Sequence, residues 1–225
     1  MISHAGVNPP NGAREMGVNP TDKGLLTPDN CVVIFIDYQP ELLSSVTSIG
    51  RQTLLNGVLL LAKAAKIFNV PVILTAVASK EFKGDLIPQF RELFPGETPI
   101  TRSSINSWDC ADFVAAVHRT GRRNLVIAAL WIEVCLAMPA LQALTDGYFV
   151  YAVEDASGGA SRVAHRAALR RIEQAGGVPV TAMQLLLEFQ RDWGRSEHYD
   201  EVISALRALR GVLAKAPENV AYPVS

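Results

Sequence analysis

The run CVVIFID, from Cys31 to Asp37, is apolar at six successive positions and closes on an acid. It is of strand length and rich in β-branched residues. Apolar character at every position, rather than at alternate ones, predicts a strand buried on both faces, as in a parallel sheet covered by helices. Outward from it, the chain alternates. Arg51 to Asn69 places Leu54, Leu55, Val58, Leu61, Ala62 and Ala65 at helical spacing and stops before Pro71. Val72 to Ala76 reads as a second strand, Pro88 to Phe94 as a short amphipathic piece and Thr98 to Arg102 as a short strand. A helix over Trp108 to Arg119, a strand over Asn124 to Ala129 and a helix over Glu133 to Thr145 follow. Tyr148 to Val153 reads as a strand, Ser161 to Ala175 as a helix and Val178 to Thr181 as a last strand. A helix through Gln190 and another from Tyr199 to Leu213 complete the pattern. Strand–helix alternation with connections of this length predicts right-handed βαβ crossovers and a doubly wound α/β sheet.

No Pro/Gly linker divides the ordered part, and 225 residues suit one sizeable domain. The expected division is an N-terminal arm over 1–28, a single domain over 29–215 and a Pro-containing tail over 216–225. The arm is rich in Pro, Gly, Asn and Asp, without apolar period, and reads as flexible or laid over a neighbouring subunit.

Composition excludes several classes. Lys+Arg 21 against Asp+Glu 22 leaves a formal charge of -1, without the basic excess a nucleic-acid surface requires. Hydrophobic content of 49% excludes wholesale disorder. Three cysteines, Cys31, Cys110 and Cys135, cannot complete a disulfide framework, and no secretory signal opens the sequence. A reducing, cytoplasmic location is therefore expected. Leu125 to Leu144 is long enough to span a bilayer, but Glu133, Pro139 and Gln142 interrupt it. It reads instead as strand, tight turn and helix start, so no membrane partner is expected.

In an open parallel sheet, ligands bind outside the carboxyl ends of the strands. The first strand delivers Asp37 there, the third Arg102, and the fourth Leu130, Trp131, Ile132 and then Cys135 at a helix opening. A thiol at a helix N-terminus beside a guanidinium is expected to lean towards thiolate. A carboxylate at the neighbouring strand end can take its proton and return it to a leaving group. Backbone N–H groups around Trp131 and Cys135 would face a developing oxyanion. These are the parts of an acyl-transfer site with Asp as the base. Cys31 and Cys110 have no such base beside them.

The segments VVIFIDYQPELL, SINSWDCADF, LVIAALWIEVCLAMPAL and VEDASGG, in this order, resemble the isochorismatase-like cysteine hydrolases, and most closely the YcaC-type branch. The likeness covers about Pro28 to Leu213. It implies a three-layer α/β/α fold around a six-stranded parallel sheet. It also implies a triad of Cys135 (nucleophile), Asp37 (general acid/base) and Arg102 (basic member), where most members have Lys. Arg holds its charge and cannot shuttle a proton near neutral pH. A non-proline cis peptide is implied at Leu130–Trp131, turning N–H groups of Leu130, Trp131 and Cys135 towards the oxyanion. Ala129 and Ile132 replace the Gly and Thr usual around that turn, which makes the pocket more apolar. Asn106 and Trp108 match the branch pattern and would line the pocket with Trp131, Ile132 and Gln39; Trp108 equally suits plain core. Gln39 would bond near Asp37 or cap the following helix. The branch further implies a homo-oligomer built on dimers, up to an octamer.

The metal-binding nicotinamidases of this superfamily carry a His cluster after the second strand. TAVASKEFKGDLIP, from Thr75 to Pro88, has no histidine, and His4, His118, His165 and His198 are scattered. No metal and no cofactor are expected. His118 and His165 read as solvated helix-face residues. A cysteine nucleophile points to hydrolysis of a C–N bond in a small molecule through a thioester. The alternative is a catalytically weak or silent oligomer that binds a metabolite in the same fold. A phosphate-binding reading lacks G-x-G-x-x-G after the first strand, and a phosphotransferase reading lacks a second acid where Gln39 stands.

Overall fold

The computed structural model describes residues 24–209. Six strands form one sheet, all neighbours parallel: β1 (Cys31–Ile36), β2 (Val72–Val77), β3 (Ile100–Arg102), β4 (Asn124–Ala129), β5 (Phe149–Val153) and β6 (Val178–Val180). Their spatial order is β3-β2-β1-β4-β5-β6. The helices are α1 (Pro40–Ser44), α2 (Arg51–Ile67), α3 (Pro88–Leu93), α4 (Ala111–Arg119), α5 (Ala137–Thr145), α6 (Arg162–Gln174), α7 (Ala182–Gln190) and α8 (Tyr199–Ala208).

Strand pleating divides the core in two. Val33, Phe35, Val126, Ala128, Tyr151 and Val153 face a layer containing α2, α7 and α8. Val32, Ile34, Ile36, Leu125, Ile127, Ala129, Val150 and Ala152 face α4, α5 and α6. All six residues of β1 are buried, as are all six of β4. Each such aliphatic side chain contributes on the order of 1.5–3 kcal/mol by leaving water. The expected continuous apolar runs are thus the two central strands. The order reverses between β1 and β4: crossovers run outward through β2 and β3, return to β4, then run outward the other way. That switch point is where the connections diverge and a crevice opens.

The membrane-length stretch resolves into β4, a single π-helical turn over Ile132–Leu136, and α5. Among the described residues no helix is long and apolar enough to cross a membrane. Ordered packing begins before the boundary set at residue 28. Leu26 is fully buried, and its N–H donates to Glu188 Oε2 at 2.7 Å. Residues 1–23 of the arm, the tail over 216–225 and the last residues of the final helix lie outside the described residues.

One glycine fixes the spacing between α2 and the loop after β5. A Cβ added at Gly57 would lie 2.2 Å from the Asp155 carbonyl oxygen and 2.7 Å from its carbon, both backbone atoms. Gly57→Ala must therefore push helix and loop apart. Overpacking of this kind costs about 1–3 kcal/mol, and more where backbone must move. Thermal denaturation is expected to show a lowered Tm; an unchanged one would mean that the contact is soft.

Candidate active site

Asp37 directly follows β1, and its N–H continues the sheet ladder by donating to Thr75 O at 3.0 Å. Its φ of 62° lies in the left-handed region, which Asp tolerates better than most residues. The side chain is fully buried and bound to Arg102, from the end of β3, with Nη2 to Oδ2 at 2.6 Å. Arg102 is held in turn by the loop that follows it: Nη1 donates to the carbonyls of Ser104 and Ile105. Two residues 65 apart in sequence thus form an ion pair with side chains 0% and 1% exposed.

Cys135 completes the group. Its sulfur interacts with both the Asp37 carboxylate and the Arg102 guanidinium. Asp37 Oδ1 is buried without a close hydrogen-bond partner. Burial holds the Asp37 carboxyl above its ordinary range, opposed chiefly by the Arg102 charge and then by the thiol. Burial also pushes the Cys135 thiol up, the Asp37 charge and hydrogen bond add to that, and Arg102 opposes it. The net push on the thiol is upward, towards the neutral form. This corrects the expected lean towards thiolate: desolvation and the acid outweigh the guanidinium.

The turn before Cys135 is built differently from the expectation. Every peptide bond among the described residues is trans, Leu130–Trp131 included. The chain reverses instead through Trp131, at φ 53° and ψ 68°, followed by the π turn. Turns of this type recur at functional sites. Gly158 splints it: Gly158 N–H donates to Ala129 O (3.1 Å), and Ile132 N–H donates to Gly158 O (2.9 Å). The oxyanion expectation is corrected for two of its members. Leu130 N–H donates to Ile36 O at 3.1 Å. Cys135 N–H, with Val134 N–H, donates to Trp131 O at 2.8 Å, because the left-handed residue turns its carbonyl into the helix axis.

The expected pocket residues divide. Trp131 is half-buried, with its indole N–H on Ser45 Oγ (2.7 Å) and its ring edge-on to Phe82 at 6.4 Å between centroids. Ile132 is fully buried in the core rather than lining an opening. Gln39 holds the N-cap position of α1 and its backbone N–H donates to Asp37 O at 2.7 Å, but its side chain neither caps that helix nor reaches the Asp37 carboxylate. Its amide accepts from Val77 N–H and donates to Val77 O, both at 3.0 Å, extending the end of β2 like an added strand residue. Asn106 caps the 3-10 turn Ser107–Asp109 through Trp108 N–H (3.1 Å) and donates to Gln142 Oε1 (2.5 Å). Trp108 is core: its indole N–H donates to Asp146 beyond the end of α5, and its ring packs edge-on to Phe113 and Tyr148.

His165 is also corrected, from solvated to buried. Its Nδ1 lies 3.1 Å from Ser48 Oγ, and burial lowers its pKa despite Glu154 and Glu133. The row His165, Ala168, Leu169, Ile172 could have revealed this, since i, i+3, i+4 and i+7 share one helix face. Glu133 is a residue sequence reasoning missed. Its Oε1 accepts from Ala160 N–H at 2.9 Å, tying the β5–α6 loop to the turn that carries Cys135. Tyr38, also missed, donates its hydroxyl to Ala156 O at 2.5 Å.

A doubly wound sheet with a Cys, Asp and Arg cluster at its switch point defines a class, and comparison with known proteins names it. Residues 31–184 match the isochorismatase domain model, so the chain belongs to the isochorismatase family. Within it the chain falls in the YcaC-type branch of probable hydrolases. It is 40% identical over 169 residues to the probable hydrolase YcaC of Escherichia coli (strain K12), covering 75% of this chain and 81% of that one. The crystal structure of Escherichia coli YcaC, described as an octameric hydrolase of unknown specificity, superposes with a TM-score of 0.74 at 38% identity. That match covers 82% of this chain and 88% of that one. YcaC from Pseudomonas aeruginosa, solved with hexane-2,5-diol and covalent acrylamide, gives 0.78 at 37% identity, over 83% and 94%.

Proposed function

We propose that this chain is a cysteine-dependent hydrolase that cleaves the C–N bond of a small amide through a thioester. The observation that carries the reading is a thiol beside a buried carboxylate with one oxygen locked by Arg102 and the other without a close partner. As the sulfur attacks the carbonyl carbon, its proton passes to Asp37. The S–C bond forms, the C–N bond breaks, and Asp37 returns the proton to the departing amine. Asp37 then draws a proton from water, whose oxygen attacks the thioester and releases the acid and the thiol. Arg102 keeps Asp37 aimed and supplies a positive charge that acts on the sulfur as it becomes anionic. Side chains supply every proton acceptor and charge in these steps, so no metal is invoked.

The acrylamide held covalently by the Pseudomonas aeruginosa relative supports a nucleophilic group in this branch. The octameric Escherichia coli relative supports a homo-oligomer here. Cys31, Cys110 and Cys135 are all free, in keeping with a reducing, cytoplasmic location. One observation favours a catalytically silent metabolite binder: the Cys135 N–H already serves Trp131 O. Intact-protein mass spectrometry after acid quench from a series of small neutral amides separates the two. An acyl mass on Cys135 is expected. A covalent mass on Cys110 instead, or none on any residue with amides that bind, would overturn the reading.

A further inference from the structure

The charges around Cys135 cancel. Asp37 and Arg102 are matched at 2.6 Å, and both Arg102 terminal nitrogens are committed, one to Asp37 and one to the carbonyls of Ser104 and Ile105. Only its Nε is buried without a partner. A substrate carboxylate approaching that Nε would bring a second negative charge to a guanidinium already neutralised, and Asp37 would repel it. The buried group would be left with an uncompensated charge, which is costly. Lys80 and Lys83, on either side of Phe82, are exposed and lie in water, where ion pairs contribute little.

The surroundings are apolar. Trp131 presents its ring, since its one polar atom is spent on Ser45, and Phe82 stands edge-on to it. Met138, in the first turn of α5, is 39% exposed. Ile105, whose carbonyl holds Arg102, leaves its side chain 65% exposed. Trp131, whose carbonyl accepts from the Cys135 N–H and whose ring meets Phe82, offers an apolar wall of the kind an apolar ligand needs.

We infer that the acyl part of the substrate is small, uncharged and apolar, and that the site rejects carboxylate-bearing acyl groups. The inference rests on the hydrolase reading and narrows it to a substrate class, with Trp131 and Phe82 as the residues that set it.

Two activated esters of nearly equal shape test it: p-nitrophenyl pentanoate and mono-p-nitrophenyl succinate. In each, the Cys135 sulfur bonds the acyl carbon, p-nitrophenolate leaves, and the thiol proton passes through Asp37 to solvent. Absorbance gives the rate, and intact mass with peptide mapping gives the site. The pentanoyl ester is expected to acylate Cys135 faster, by on the order of tenfold or more. Phe82→Lys, which sets a cation against the Trp131 edge, is expected to narrow that ratio. Equal or faster succinyl transfer to Cys135 would overturn the substrate class while leaving the nucleophile in place. If neither ester acylates Cys135, or Cys135→Ala releases p-nitrophenolate as fast, the hydrolase reading falls and the inference with it.

Discussion

Arg102→Met is expected to lower stability by about 3–5 kcal/mol, the cost of breaking a buried ion pair by removing one partner. Both side chains are almost wholly withdrawn from solvent, so no water replaces the guanidinium around Asp37. In a domain of this size that is a Tm fall on the order of 10 °C. The loss is expected to depend on pH with a definite sign. Burial already raises the Asp37 carboxyl, and Arg102 is the main opposing influence. Without it the folded-state value climbs further above the unfolded one. A carboxyl raised in this way favours the protonated folded state. The deficit of the variant is therefore smallest below the unfolded carboxylate value, near 4, and grows as pH rises through the folded one. Thermal denaturation from acid to neutral pH reads this directly. Asp37→Asn combined with Arg102→Met, which leaves no charge to strand, is expected to recover most of the loss. A double variant no more stable than Arg102→Met, or a loss independent of pH, would mean that the pair is not what holds these strands' ends together.

The two central strands were legible because burial on both faces leaves an uninterrupted apolar run, and Asn124 to Ala129 matches β4 at both ends. The convergence of Asp37, Arg102 and Cys135 was legible for a topological reason: each stands at or beyond the carboxyl end of a strand, and parallel strands end on one rim. What the sequence hid was set by loops. Trp131 adopts a left-handed conformation that its side chain does not favour, enforced by Gly158 and Ser45, which lie 27 and 86 residues away in sequence. Gln39 looked like a cap because it precedes Pro40. The end of β2 takes its amide instead, and a β1-to-β2 pairing of that kind has no local signature. Trp108 turned into the core because Asp146, 38 residues on, receives its N–H. Thiol acidity was misjudged for a related reason. Helix position is written in sequence, but the depth of burial that governs the thiol is not.

Asp37→Asn is expected to move two properties of Cys135 in opposite directions. In the proposed mechanism Asp37 is the base that gives the thiol proton somewhere to go; Asn cannot accept it, so turnover of p-nitrophenyl pentanoate should fall by on the order of 10²–10⁴. As a charge, Asp37 raises the thiol pKa, second only to burial, and that push disappears in the amide. Arg102 remains, now without its carboxylate, and its full positive charge acts on the sulfur. The thiol of the variant should therefore be more acidic than that of the parent. Iodoacetamide reacts with thiolate, so alkylation of Cys135 at a fixed pH near 8 should be faster in the variant, and its pH profile should shift down. A residue that merely supports the fold would not separate the readouts in this way, since loosened packing would accelerate alkylation without moving the profile towards acid. If turnover and alkylation both decline, Asp37 stabilises the thiolate rather than withdrawing its proton. The order of proton transfer and attack would then have to be reversed, with a preformed anion in place of a thiol deprotonated as it attacks.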